Sequence, residues 1–289
     1  MILMTGATGT VGSEILTRLS AHATAIRAVT RDPRKADAHL LPHVQFVHGD
    51  LEDPESMKRA CAGVDRAFLV TNSSERAEHQ QTSFTHVAHQ SGVRHIVKLS
   101  QLHADAHAPE RFLRYHGVVE AAIQASGLTF TFLRPNLYMQ GMLNFRRSIQ
   151  EQSTFFAAAR DAGISAVDVR DIADVAVAAL TTAQHDNQSY ALTGPEALTF
   201  TEMAQQLSRA VGRTITYVDV PPAAMRAALA DLGFPAWGVT GCARKSHAAS
   251  GNSITSIGLL GSTSARYGYN RWVSCATRYR MKSSQSPLR

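Results

Sequence analysis

Ile2-Leu3-Met4-Thr5-Gly6-Ala7-Thr8-Gly9-Thr10-Val11-Gly12 decides the fold. A short apolar run ends at Thr5, the three glycines follow, and a helical pattern opens with Val11, Ile15, Leu16 and Leu19 on one side. Strand, glycine turn and amphipathic helix, in that order, form the context in which such a turn binds a dinucleotide. Gly6 permits the sharp turn, Gly9 lets the backbone approach a pyrophosphate, and Gly12 lets the helix lie close to the strand. Free N–H groups and the helix dipole attract the phosphates. Thr8, Thr10 and Val11 belong to the same cradle. A P-loop is excluded, because no Gly-Lys-Ser/Thr closes the motif.

Outward from this turn, strand and helix signals alternate. Ala25–Val29, Val44–Val47, Ala67–Val70, His95–Leu99 and Thr129–Leu133 are short apolar strands. Asp53 is a good N-cap and Pro54 fits the first helical position after it. Short strands separated by helices predict βαβ units on a doubly wound, Rossmann-type parallel sheet, an α/β fold. This part is expected to span residues 1–135.

After Pro135 the pattern loosens. Residues 136–237 read as a small C-terminal substrate domain closing over the carboxyl edge of the sheet. A segment near 166–180, a strand-like step and a helix capped near Asp171, returns to the Rossmann core. Asp168, Arg170 and Asp171 read as a cap and ion pair that hold it there. Thr199 and Gly212 mark the start and stop of a second helix, and Ile215–Val220 is a further strand.

The end of the second strand selects the cofactor. An acid there binds the ribose hydroxyls of NAD, whereas an arginine accommodates the extra phosphate of NADP. The sequence offers Thr30-Arg31-Asp32, then Arg34 and Lys35. NADP(H) is therefore expected in preference, with NAD(H) possible, and Arg31 and Lys35 are the expected phosphate ligands. Asp50 and Leu51, after the third strand, face the adenosine end. Thr71 and Asn72 end the fourth strand at the crevice.

Composition sets the outer limits. The chain has 289 residues, 44% hydrophobic and 18% charged, which suits a folded body and excludes full-length disorder. Three cysteines cannot build a disulfide framework. No apolar run reaches the roughly 18 residues needed to span a bilayer. Met1 leads straight into the glycine motif without a secretory signal, so the cytoplasm is the expected location. The net charge of +6 is unevenly placed: residues 1–234 carry 21 basic and 23 acidic side chains, residues 235–289 eight basic and none acidic. The body itself is near neutral, which argues against nucleic acid as a partner. Residues 238–289 read as an irregular basic tail, either disordered or the product of a shifted reading frame.

Taken together, Thr5–Gly12, Thr30-Arg31-Asp32, Gly49-Asp50-Leu51, Gly92–Ser100, Leu133-Arg134-Pro135-Asn136 and Val167–Ala173 resemble the NmrA-like branch of the atypical short-chain dehydrogenases/reductases. The resemblance covers residues 1 to about 237. It implies bound NADP(H) and a small-molecule electron acceptor, as in quinone reductases, azoreductase-like and isoflavone-reductase-like enzymes. Other family members are redox-sensing regulators that bind the cofactor without turning it over. The resemblance puts Pro135 and Asn136 beside the nicotinamide, and Ser100 where the family's active-site serine often sits. Tyr138 and Met139, just beyond, are candidates for the acceptor pocket.

Typical short-chain dehydrogenases carry Tyr-x-x-x-Lys, and in extended members a glutamate follows four residues later. Counting back from Glu120 gives His116 at the lysine position and Phe112 at the tyrosine position. Tyr115 lies three residues out of register, close to one helical turn. The candidate catalytic residues are thus His116, Ser100 and Tyr115. Hydride addition to a simple ketone makes a strongly basic alkoxide and needs a positioned acid. Addition to a quinone, azo or enone acceptor makes a delocalised anion that can be protonated by water. The Phe/His pair therefore favours a conjugated acceptor. The competing function is a non-catalytic NADP(H) sensor acting through a protein partner.

His86-x-x-His89 and His103-x-x-x-His107 have ligand-like spacing, but no cysteine pair or glutamate completes either, and no metal is expected. No Gly-x-Ser-x-Gly elbow indicates a hydrolase.

Overall fold

The computed structural model describes residues 1–22, 24–32 and 41–234. These residues fall into two compact units. The first joins Met1–Asn136 to Val169–Leu192; the second joins Leu137–Asp168 to the described residues from Thr193 onward. The return to the first unit runs Val169–Leu192, beyond the segment near 166–180 expected from sequence, because a strand, Gln188–Leu192, follows the helix.

The first unit is a seven-stranded sheet in the order β3-β2-β1-β4-β5-β6-β8, parallel throughout. Its strands are β1 (Ile2–Met4), β2 (Ile26–Thr30), β3 (Val44–His48), β4 (Arg66–Leu69), β5 (His95–Leu99), β6 (Thr129–Pro135) and β8 (Gln188–Leu192). The strand order reverses between β1 and β4, which opens a crevice at their carboxyl ends, where ligands bind in open α/β sheets. Thr5 ties the two strand ends together, its Oγ1 accepting from the Val70 N–H at 2.9 Å.

Helices α2 (Pro54–Cys61), α3 (Ala77–Gln90) and α4 (Arg111–Ala125) bury Met57, Phe84, Val119 and Ile123 against Leu3, Leu69, Ile96 and Phe132 of the sheet. Helices α1 (Thr10–Leu19) and α6 (Val169–Thr181) pack on each other, with Arg18 Nε bonded to Asp174 at 2.7 Å. Asp53 caps α2 as its position predicts, accepting from Glu55 N at 3.0 Å and Ser56 N at 3.2 Å. Helix α6 starts at Val169, two residues before the expected cap at Asp171.

The second unit holds a 3-10 helix (Met139–Phe145), α5 (Arg146–Gln152), α7 (Phe200–Val211), α8 (Pro222–Asp231) and a parallel pair, β7 (Thr154–Ala157) with β9 (Thr216–Asp219). Its cores are built on Ile149, Phe155, Leu207 and Ile215, and on Met139, Ile164, Ala166 and Met203. Thr199 and Glu202 form a reciprocal capping box, and Gly212 ends α7 at φ +70°. Among the described residues no helix is long and apolar enough to cross a membrane. Lys35 and the tail 238–289 lie outside the described residues.

Candidate cofactor and hydride-transfer site

The turn after β1 separates the demands of folding from those of a ligand. Gly6 adopts φ +58°, and a Cβ there would meet Val70 Cγ1 at 2.5 Å. A Cβ on Gly12 would lie 2.0 Å from the Gly6 carbonyl oxygen. Both must be glycine for the chain to pack. Gly9 differs. Its φ of −82° and ψ of 172° suit any residue, and an added Cβ would meet only the Gly6 carbonyl oxygen, at 3.2 Å. Apart from this tight contact, which a shift of the Gly6 carbonyl by a few tenths of an ångström would relieve, no protein atom beyond the chain neighbours lies within 4 Å of such a Cβ. Thr8, Gly9 and Thr10 are exposed, whereas Val11 and Gly12 are buried behind them. Helix α1 starts here without a side-chain cap, so the N–H groups of its first turn are available to an anion. This cradle fits a dinucleotide pyrophosphate.

The other expected cofactor residues sit at the carboxyl ends of neighbouring strands. Arg31 follows β2 and is exposed. Asp50 follows β3; its Oδ1 accepts from Glu52 N at 3.0 Å, and Leu51 packs partly buried against the core. Thr71 and Asn72 follow β4, and Thr71 Oγ1 accepts from Gln81 Nε2 at 2.7 Å. Pro135 ends β6, its carbonyl accepting from Leu102 N at 2.9 Å. Asn136 N donates to Leu192 O at 3.0 Å.

A buried polar cluster lies along β5, β6 and α4. Strand alternation turns Lys98 and Ser100 to the same face as Ile96, and Arg134 to the same face as Phe132. His116 and Glu120 are four residues apart on α4, so they share one face of that helix. Lys98 is 0% exposed and His116 5% exposed, with Lys98 Nζ 2.9 Å from His116 Nδ1. Lys98 Nζ also donates to Leu99 O at 3.3 Å. Burial pushes the Lys98 ammonium down to about 7; Glu120 opposes this shift and Arg134 adds to it. Ser100 donates to Glu120 Oε1, and Arg134 grips the same carboxylate through Nε, at 3.1 Å, and Nη2.

The three expected catalytic residues therefore lie close together, but in different roles. His116 stacks on Tyr115 with ring centroids 4.1 Å apart, and the edge of Phe112 approaches it at 5.1 Å. Ser100 spends its hydroxyl proton on Glu120. Tyr115 is 2% exposed, and burial pushes its phenol up to about 12 against a hydrogen bond with Ser73, which makes it a weaker acid. Tyr138 pairs with Val167, and Met139 is packed in the core of the second unit with Ile164 and Met203. Asp168 is buried and accepts from Gln140 Nε2 at 3.0 Å.

Lys98, Glu120 and Arg134 were not singled out as site residues from the sequence. Lys98 reads there as one polar position in a strand. The available signal was the pairing of alternation on β5 with the i, i+4 spacing on α4. Gly117 is a further unread signal: a Cβ there would lie 2.2 Å from the backbone of Asp105 and Ala106, so the loop after β5 is pressed onto α4 beside His116. Cys61 is a buried free thiol pushed up to about 11, chemically quiet.

Comparison with known proteins agrees with this geometry. The sequence profile of the NmrA-like family matches residues 1–238. An NAD(P)H azoreductase of Xenophilus azovorans is 35% identical over 81% of this chain and 82% of its own length. A (4-alkanoyl-5-oxo-2,5-dihydrofuran-3-yl)methyl phosphate reductase of Streptomyces griseus is 39% identical over 79% of this chain and 80% of its own. Among solved structures, an NADPH-dependent quinone oxidoreductase of Escherichia coli complexed with NADPH superposes with a TM-score of 0.76 at 28% identity, covering 85% of this chain and 90% of that one.

Proposed function

This chain belongs to the NmrA-like family, and on that premise we propose that it is an NAD(P)H-dependent oxidoreductase. It passes hydride from the nicotinamide to a small conjugated acceptor of quinone, azo or enone type. The observation that carries the reading is Gly9. Its backbone angles suit any residue, and a Cβ there would need only the Gly6 carbonyl, 3.2 Å away, to give by a few tenths of an ångström, so the demand for glycine falls mainly on a pyrophosphate against the backbone. The reductase names of the relatives support the acceptor class.

The bound cofactor would supply the hydride. The chain's own residues hold and orient it: Gly6 to Gly12 at the pyrophosphate, Arg31 at the 2′-phosphate, and Pro135 and Asn136 at the nicotinamide end. Phe112 offers no proton, and Tyr115 is a poor donor. An acceptor whose anion is delocalised, and so protonated readily by water, suits this site best. Substrate contacts from Tyr138 belong to the same proposal.

The test is an acceptor screen following NADPH absorbance. One NADPH oxidised per two-electron acceptor reduced, dependent on the acceptor, is the expected result. Tight NADPH binding with no acceptor-dependent oxidation across quinones, azo dyes and enones would replace the reductase with a cofactor sensor.

A further inference from the structure

The loop after β3 uses its two acids differently. Glu52 is committed at both carboxylate oxygens: Gln80 Nε2 donates to Oε1 at 2.6 Å, and Arg76 grips Oε2. Asp50 is committed at one, its Oδ1 accepting from Glu52 N at 3.0 Å. Among the described residues nothing donates to Asp50 Oδ2, and nothing accepts from the Leu51 N–H. An acceptor and a donor on adjacent residues thus stand open at the carboxyl end of β3. Other anchors of this loop hold its backbone and core side: Ser56, 0% exposed, accepts from Asp50 N at 2.9 Å, and Leu51 packs against the core. The Asp50 carboxylate depends on Glu52 N–H, and the Glu52 side chain ties that N–H to Arg76 and Gln80 at the start of α3. β2 and β1 lie between β3 and β4 in the sheet, so this tie joins the loop after β3 to the helix that follows β4. With Arg76 67% exposed, such an ion pair adds little to stability, and the fold by itself does not explain it.

We propose that Glu52 is a positioning residue for base selection: clamped by Arg76 and Gln80, it holds the Asp50 carboxylate beside the Leu51 N–H in the arrangement that accepts adenine and rejects a base of reversed pattern. Adenine presents its exocyclic amine, a donor, next to a ring nitrogen that accepts. Hypoxanthine presents a carbonyl oxygen and a ring N–H in those two places, so it would set oxygen against carboxylate and N–H against N–H. The proposal rests on the cofactor reading of this edge of the sheet and on no particular electron acceptor.

The experiment titrates the full-length chain by fluorescence with NADPH and with reduced nicotinamide hypoxanthine dinucleotide phosphate, which differ only in the base. The wild type is expected to prefer NADPH by about tenfold or more, the worth of hydrogen bonds to a charged group. Glu52→Ala should weaken NADPH by about tenfold and the hypoxanthine analogue by no more than about twofold, so that the preference nearly disappears. Asp50→Ala should do the same, and Asp50→Ala with Glu52→Ala should lose nothing further, because Glu52 acts through Asp50. Should Glu52→Ala fail to fold, Arg76→Ala with Gln80→Ala removes the same clamp from the α3 side and is read in the same way. Equal affinity of the wild type for the two dinucleotides, unchanged NADPH affinity in Glu52→Ala, equal loss for both in that variant, or additive losses in the double variant would overturn the proposal and leave the cofactor reading standing. A wild type that binds neither dinucleotide would overturn both.

Discussion

A Cβ on Gly12 would lie 2.0 Å from the carbonyl oxygen of Gly6, whereas one on Gly9 would meet that oxygen at 3.2 Å. The two glycines of one motif therefore answer to different constraints, and substitution should separate them. Gly12→Ala should destabilise the first unit by about 2 kcal/mol or more, because helix α1 must move off the strand. Gly9→Val should lose much less stability than Gly12→Ala yet bind neither NADPH nor NADH. Normal titration of Gly9→Val with either cofactor would make the motif structural only.

Arg31 stands exposed at the end of β2, the position we propose for the 2′-phosphate. Arg31→Ala should weaken NADPH by about 1.5–3 kcal/mol, roughly ten- to a hundredfold, and leave NADH nearly unchanged. Titration of each cofactor by fluorescence checks this. Equal loss for both would remove the assignment.

Restoring a tyrosine and lysine at positions 112 and 116 should create activity on simple carbonyls, but not by those two changes alone. A lysine at 116 would meet Lys98 where the His116 ring now does, and two buried ammonium groups in contact repel. Phe112→Tyr with His116→Lys and Lys98→Met should therefore reduce an aliphatic ketone measurably faster than the double variant that keeps Lys98. Robust ketone reduction by the unmodified protein would show that a proton donor is already in place.

His95 gives the first unit a pH dependence. It is buried at the start of β5, its ring nitrogens 2.9 Å from Thr129 Oγ1 and 3.1 Å from Thr131 Oγ1, with Arg66 and Asp186 alongside. Burial, and then Arg66, lower it below its ordinary value of 6.5, against the opposing pull of Asp186. As the pH falls below about 6.5 the unfolded chain takes up the proton first, so stability is full above that value and declines beneath it. Urea midpoints should show a loss of about 1–2 kcal/mol between pH 7 and pH 5, and His95→Gln should flatten that slope. An unchanged slope in the variant would place the titration elsewhere.

The family profile ends at residue 238, and acidic residues vanish from position 235 onward while eight basic ones remain. A frame shift near codon 237 would account for both. Translating the other two frames downstream should give an acid-bearing, amphipathic continuation in one of them. Early stops in both frames would sink the idea.

Features coded over a few neighbouring residues were legible in the sequence. The glycine turn, the Asp53 cap, the Thr199 to Gly212 helix and six of the seven sheet strands depend on local backbone preference and on alternation within one segment. The seventh, β8, was not legible. Gln188-Ser189-Tyr190-Ala191-Leu192 has weak apolar alternation and becomes a strand because β6 offers an open edge to pair with. For the same reason β7 appears only beside β9. The polar cluster was decided by tertiary structure alone. Nothing adjacent to Lys98 marks it as wholly buried, and nothing near His116 announces a lysine 18 positions earlier. Strand period and helix period each fix a face, but only the packing of α4 against the sheet sets those faces against each other and brings the amine to the imidazole, while the missing side chain of Gly117 lets the loop at Asp105 and Ala106 lie against α4 beside them.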